Sequence, residues 1–248
     1  MSARLIKIYS GPPDNVDYII LPEERIEEAL RVQQGSMGRE NIALRFGLSN
    51  NPSSGETMKI IFREMVKDRC SVVAVHTKTD EIVGVCFNKL HWVPMGNGER
   101  NELEIFVANN IRDERCRGLI DFLSHVESKV DLFQYYGASC VLELFYVGTD
   151  SRFVGHGVGL NLLKASIELG RRLGKSKTMA HHTFQVAPEV AYGIFTSNSS
   201  QRVASRLGFQ WLVTVPYDEY YWRGEKLFDG NGDAHETAQL GAVRINMR

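Results

Sequence analysis

Apolar positions along the chain recur with two periods. Tyr18 to Leu21 is a short apolar run that predicts a strand. Pro22 with Glu23, Glu24, Glu27 and Glu28 then predicts a helix start, with proline at the first helical position and carboxylates against the positive end of the helix dipole. Asn50 to Gly55 reads as a loop, and Ser53 with Glu56 as a capping box for a second helix carrying Met58, Ile61, Phe62 and Met65 on one face. Cys70 to His76 and Ile82 to Leu90 are β-branched, apolar strands joined by a Lys78–Asp80 turn. Residues 94–101 predict a loop. Leu119, Phe122, Leu123, Val126 and Val130 predict a helix over Arg117 to Phe133, stopped by Gly137. Cys140 to Val147 is the most apolar strand. A glycine-rich stretch at 155–159 follows, then an amphipathic helix to Leu173, a strand over Lys177 to Phe184, and a short helix over Ser199 to Leu207 ended by Gly208. Phe209 to Val215 and Gly241 to Asn246 read as late strands. Hairpins on both sides of a strand–glycine loop–helix unit predict one α/β domain with a mixed central sheet, spanning residues 1–248.

Composition narrows the class. Hydrophobic residues make up 43% and charged residues 24% of the 248, as in an ordinary globular core. Lys and Arg number 29 against 30 Asp and Glu, which disfavours a nucleic-acid or membrane-surface binder, since both need a large positive excess. No apolar run approaches a membrane span, and the N-terminal residues lack a signal-peptide apolar stretch, so a cytoplasmic location is expected. Cys70, Cys86, Cys116 and Cys140 are widely spaced and read as buried free thiols. A monomer is expected.

The chemistry concentrates at Val154-Gly155-His156-Gly157-Val158-Gly159, between an apolar strand and an amphipathic helix. Glycines let the backbone approach a ligand closely, and amides at a helix N-terminus attract anions. The stretch therefore reads either as a cradle for a phosphate or pyrophosphate, or as a tight strand-to-helix turn. A Rossmann unit would place an acid about 20 residues on, where the chain has Met179-Ala180-His181-His182. A P-loop would need a glycine at Leu169. His181 and His182 face opposite sides of a strand, so no metal is expected there or with His156.

The order of elements, ending in a short helix and the Gly208-Phe209 pair, resembles the GNAT superfamily of acetyl-CoA-dependent N-acetyltransferases. Further anchors are Arg39-Glu40, Val126-Glu127 with Leu132-Phe133, the run Thr196 to Val203, and Tyr217 to Phe228 with His235 beyond. Together they resemble the insect arylalkylamine N-acetyltransferase-like proteins nearly end to end. The resemblance implies the GNAT fold: about seven mixed strands flanked by helices and splayed at the central strand. It also implies acetyl transfer to a primary amine, with dopamine, tyramine, octopamine or serotonin as the type and no metal. Other amines (histamine, agmatine, a polyamine) and a non-catalytic acyl-CoA-binding protein are the alternatives.

The family's phosphate motif, [QR]-x-x-G-x-[GA], falls with its first position on Val154 in one register and on Arg152 in the other. The expected cofactor residues are therefore Val147 and Thr149 through their backbones, then Arg152, Gly155, His156, Gly157, Val158, Gly159 and Ser197. Glu40 is the expected proton acceptor. A Gly-broken segment carries it where a loop lines a cleft, and it matches the acid of the family's D-E-P-L-like stretch, which reads Arg39-Glu40-Asn41-Ile42 here. Ser200 and Thr196 match hydroxyls of the insect subgroup, Ser200 as a donor to or orienter of the CoA sulfur. Helix N-capping by this serine run is the structural alternative. Ala204 stands where many superfamily members carry a tyrosine. His182 is the expected substrate-side residue and second candidate base.

Overall fold

The computed structural model describes residues 7–11, 13–93, 102–173, 187–227 and 235–245. Ten strands and eight α-helices are placed among them: β1 (Lys7–Ser10), β2 (Val16–Ile20), α1 (Ile26–Met37), α2 (Asn41–Arg45), α3 (Pro52–Met65), β3 (Val72–His76), β4 (Glu81–Trp92), α4 (Glu102–Asn110), α5 (Glu114–Glu127), α6 (Leu132–Tyr136), β5 (Cys140–Thr149), α7 (Val158–Leu173), β6 (Val190–Phe195), α8 (Asn198–Arg206), β7 (Gln210–Pro216), β8 (Tyr221–Trp222), β9 (Glu225–Lys226) and β10 (Thr237–Arg244). The main sheet has 8 strands in the order β1-β2-β3-β4-β5-β6-β10-β7, and β8 and β9 form a separate hairpin. Among the described strands only β5 and β6 run parallel, and α7 lies between them in the chain. The eighth strand, against about seven expected, is the N-terminal β1, antiparallel on β2.

Both faces of the sheet are covered, which is why its strands read as unbroken apolar runs. Val73, Val75, Val85 and Phe87 pack with α1, α3 and α5 through Leu30, Phe62 and Phe122. Their neighbours Val72, Ala74, Val83 and Cys86 pack with α7 and α8 through Leu162, Leu163 and Ala204. Cys70, Cys86, Cys116 and Cys140 are free and buried, as the sequence implied.

Two features of β5 open the sheet. Phe87 faces Tyr146 and Asn88 faces Leu144, so Phe145 is an unpaired bulge residue. β5 also pairs with β6 only from Val141 to Glu143, although it continues to Thr149. The strands part beyond that point, leaving one edge of β5 without a β6 partner. This is the expected splay.

Several local expectations change. α3 is capped two residues earlier than the Ser53 box: the Asn51 side chain accepts from the Ser53 amide at 3.0 Å, Pro52 opens the helix, and Glu56 pairs with Lys59. Residues 23–25 form a 3-10 turn after Pro22, so the first α-helix begins at Ile26. The helix expected over Arg117 to Phe133 is two helices, because Asp131 starts a new one by accepting from the Gln134 amide at 3.0 Å. α4 and β6 were not expected. The strand over Lys177 to Phe184, the loop at 94–101 and Asn246 lie outside the described residues.

Gly84 of β4 sets how closely α7 approaches the sheet. A Cβ there would lie 2.8 Å from Val158 Cγ1 and 3.0 Å from Leu162 Cδ1. Gly84→Val is expected to lower stability by about 1–3 kcal/mol through overpacking, measurable by urea denaturation.

Candidate active site

The gap between β5 and β6 opens into a cavity of about 620 Å³. One wall is β5 from Leu144 to Thr149, and the glycine loop and the start of α7 form a second. The end of β6 with the first turns of α8 forms a third, and the α1–α2 connection, with Ser36, Arg39, Glu40 and Asn41, closes the fourth.

The glycine loop has the backbone a cradle needs. Gly155 and Gly157 adopt φ of +83° and +82°, a region that L side chains rarely enter. A Cβ on Gly155 would meet only open space, and one on Gly159 would make ordinary contacts with Val147 Cγ1 at 3.8 Å and Thr149 Oγ1 at 3.9 Å. The amides of α7's first turn have no carbonyl one turn earlier to bond. Val147, Thr149, Gly155, Gly157, Val158 and Gly159 all line the cavity. Arg152 and His156 do not. The Arg152 guanidinium bonds Asp150 (3.0 and 3.1 Å) and Glu81 (3.4 Å), and His156 Nδ1 sits 3.0 Å from the Val154 carbonyl.

Across the cavity, Glu40 precedes α2 in extended conformation and makes no side-chain cap bond, leaving its carboxyl free for the cavity. Burial raises its pKa to about 7. Its charge reaches two buried phenols: Tyr146 and Tyr217 are pushed upward first by burial and then by Glu40. Both hydroxyls are engaged. That of Tyr146 lies 2.6 Å from Ser36 Oγ and donates to the Gln33 carbonyl at 3.2 Å, tying α1 to β5, while that of Tyr217 donates to the Thr196 carbonyl at 2.7 Å. Asn41 also lines the cavity, and its buried Nδ2 has no hydrogen-bond partner. An occupant with an acceptor atom would satisfy it.

Thr196, Ser197 and Ser200 meet at the third wall. Ser197 is the N-cap of α8 and its Oγ accepts from the Ser200 amide, while Ser200 Oγ accepts from the Ser197 amide at 3.2 Å and donates to the Ser197 carbonyl at 2.9 Å. The capping role of this run is therefore in place. His235 Nδ1 accepts from the Asn198 amide at 3.1 Å, bringing a ring from the distant C-terminal segment to the same rim. His182 lies outside the described residues. Reading the sequence missed Arg39, Asn41, Tyr146 and Arg206 as cavity residues; no motif marks them, and only the folded α1–α2 connection, β5 bulge and α8 bring them together.

The pKa of Glu40 has a consequence for stability. A carboxyl held at about 7 in the fold and near 4.5 outside it favours folding most at low pH, and that contribution is lost as pH rises from 4.5 to 7. Glu40→Gln is therefore expected to match wild type near pH 4 and to exceed it above pH 7.5, by up to about 3 kcal/mol. Urea denaturation at the two pH values checks it.

A bulged, splayed central strand beside a glycine loop is the core of the GNAT fold, and this chain has that fold. No protein-family model matches the chain. Among solved structures it is similar to arylalkylamine N-acetyltransferase 2 of the mosquito Aedes aegypti, with a TM-score of 0.77 and 24% identity over 94% of this chain and 100% of that one. A mosquito arylalkylamine N-acetyltransferase-like 5b gives 0.74 and 18% over 92% and 99%. A Drosophila melanogaster polyamine N-acetyltransferase, which forms N-acetylagmatine, gives 0.68 and 16% over 92% and 99%. Among the described residues no helix is long and apolar enough to cross a membrane, and no group of three or more His, Cys, Asp or Glu is placed to hold a metal ion.

Proposed function

We propose that the protein is an acetyl-CoA-dependent N-acetyltransferase acting on a primary amine, most simply an arylalkylamine such as dopamine, tyramine, octopamine or serotonin. The observation that carries this reading is the placement of Glu40, with a pKa near 7, across one cavity from a glycine cradle and an unpaired strand edge. The cradle and edge fit the group: amides for a pyrophosphate, and the Val147 to Thr149 backbone for pantetheine amides.

Bound acetyl-CoA supplies an acetyl carbon that the amine nitrogen attacks directly, with the C–S bond breaking and CoA leaving as thiolate. Glu40 takes the proton that the nitrogen loses, directly or through one water. An amine of pKa near 10 is only about 0.1% neutral at pH 7, so an acceptor beside it matters. Ser200 orients the sulfur or returns a proton to it, exchanging its bond to the Ser197 carbonyl. Thr196 borders the same space, and Ser197 holds the α8 N-terminus in register. A monomer working in the cytoplasm is part of the proposal, and the four free, buried thiols favour the reducing compartment.

The choice of amine follows from charge. Among the described residues lining the cavity, Glu40 is the one acid, and Phe145, Tyr146 and Ile194 add apolar surface. A diamine would want a second carboxylate for its distal ammonium. The test is a panel of arylalkylamines, histamine, agmatine and polyamines at fixed acetyl-CoA, followed by CoA thiol release. Turnover of the arylalkylamines at higher kcat/KM than the diamines is expected. Acetyl-CoA binding with no turnover on any amine would point to the acyl-CoA-binding alternative, which the absence of a phenol at buried Ala204 favours.

A further inference from the structure

The glycine loop brings amides to the phosphate end of the cavity, and the basic side chain nearest in sequence is turned away. Arg152 is held by Asp150 and Glu81 and does not line the cavity. The opposite wall does bring a cation. Arg39 lines the cavity, its NH1 donates to the Gly35 carbonyl and its NH2 to the Thr149 carbonyl, both at 2.8 Å. Thr149 is the last residue of β5, and Gly159, at the start of α7, lies close beside it: a Cβ on Gly159 would be 3.9 Å from Thr149 Oγ1. Arg39 therefore spans from the α1–α2 connection to the strand end that adjoins the glycine loop.

Resting on the acetyl-CoA reading, we propose that Arg39 is a phosphate-binding cation of this site, reaching the pyrophosphate from the α1–α2 connection. A guanidinium has five N–H donors, and the two carbonyl bonds leave others for phosphate oxygens. Its neighbour in sequence is Glu40, so the segment that grips the cofactor also carries the proton acceptor. Arg39 thereby acts as a binding residue for CoA.

The experiment measures binding of CoA and of phosphate-free pantetheine by calorimetry to wild type, Arg39→Met, Arg39→Lys and Arg152→Met, with circular dichroism confirming that each is folded. Arg39→Met is expected to weaken CoA about ten- to hundred-fold and to leave pantetheine within twofold, since hydrogen bonds to charged groups are worth about that much. Arg39→Lys recovers part of the loss, and Arg152→Met changes CoA affinity less than Arg39→Met does. The CoA affinity of wild type also falls more steeply with salt than that of Arg39→Met. Unchanged CoA affinity in folded Arg39→Met overturns the proposal and leaves the acetyl-CoA reading standing. Equal weakening of CoA and pantetheine overturns it too, by placing the arginine's effect away from the phosphates. Failure of wild type itself to bind CoA removes the acetyl-CoA reading on which both depend.

Discussion

Glu40→Gln is expected to lower turnover by about 10²–10⁴ at pH 7 while leaving acetyl-CoA affinity within twofold, the usual scale for losing a general base. The side chain keeps its size and stays in the cavity, so the change removes proton acceptance and little else. The pH profile identifies the cause. With its pKa near 7, Glu40 passes from half-ionised to about nine-tenths ionised between pH 7 and 8, and wild-type kcat should rise through that interval. The variant lacks this limb. Its residual rate follows the fraction of free amine and climbs toward the amine's own pKa of about 10, so the deficit shrinks with pH. Turnover of both proteins between pH 6.5 and 9.5 reads this directly. Unchanged turnover would mean that the proton leaves by another route. The accompanying gain in stability above pH 7.5 belongs to the same burial: the environment that raises the carboxyl's pKa also destabilises the fold once the group ionises.

How far the site was legible depended on whether each part is local in sequence. The glycine stretch, the amphipathic pattern of α7 and the glycines at 137 and 208 announce themselves within a few residues, because turn geometry and helix periodicity are short-range; Gly137 and Gly208 have φ of +61° and +79°. β6 was hidden because Val190 to Phe195 is short and contains Gly193, whose Cβ would approach the Leu144 carbonyl to 3.1 Å. The residue that weakens the strand signal is the one that lets β6 run close to β5 where they part. The placement of cations was hidden for a different reason. Arg152 lies three residues before the first loop glycine, yet Asp150 and Glu81 hold its guanidinium, and Glu81 is far away in sequence. Arg39 reaches the Thr149 carbonyl 110 positions on. Nothing local in the sequence distinguishes the two. Glu40 was legible mainly through the resemblance, with the Gly-broken segment as its local cue; its burial and raised pKa come from packing of the α1–α2 connection over β5.

Gly157→Asp is expected to abolish measurable CoA binding while the protein still folds. Around this position a Cβ would meet only Asn161 Nδ2, at 3.9 Å, so the new side chain finds room beside the proposed phosphate position. Two costs separate cleanly. The φ of +82° strains any L residue by about 1–2 kcal/mol, and this cost falls on stability. The carboxylate adds like-charge repulsion, on the order of 4 kcal/mol for unit charges 4 Å apart at a protein-surface dielectric, close to a thousandfold in affinity. Gly157→Asn has nearly the same shape without the charge, and asparagine tolerates the left-handed region better than most residues. The neutral variant should therefore lose far less affinity than the acidic one, and raising ionic strength should narrow the difference between them. Calorimetric titration of CoA into both variants, at low and high salt, measures each term. Equal affinities for Asp and Asn would show that no phosphate approaches Gly157, and the cradle would then be a tight strand-to-helix turn.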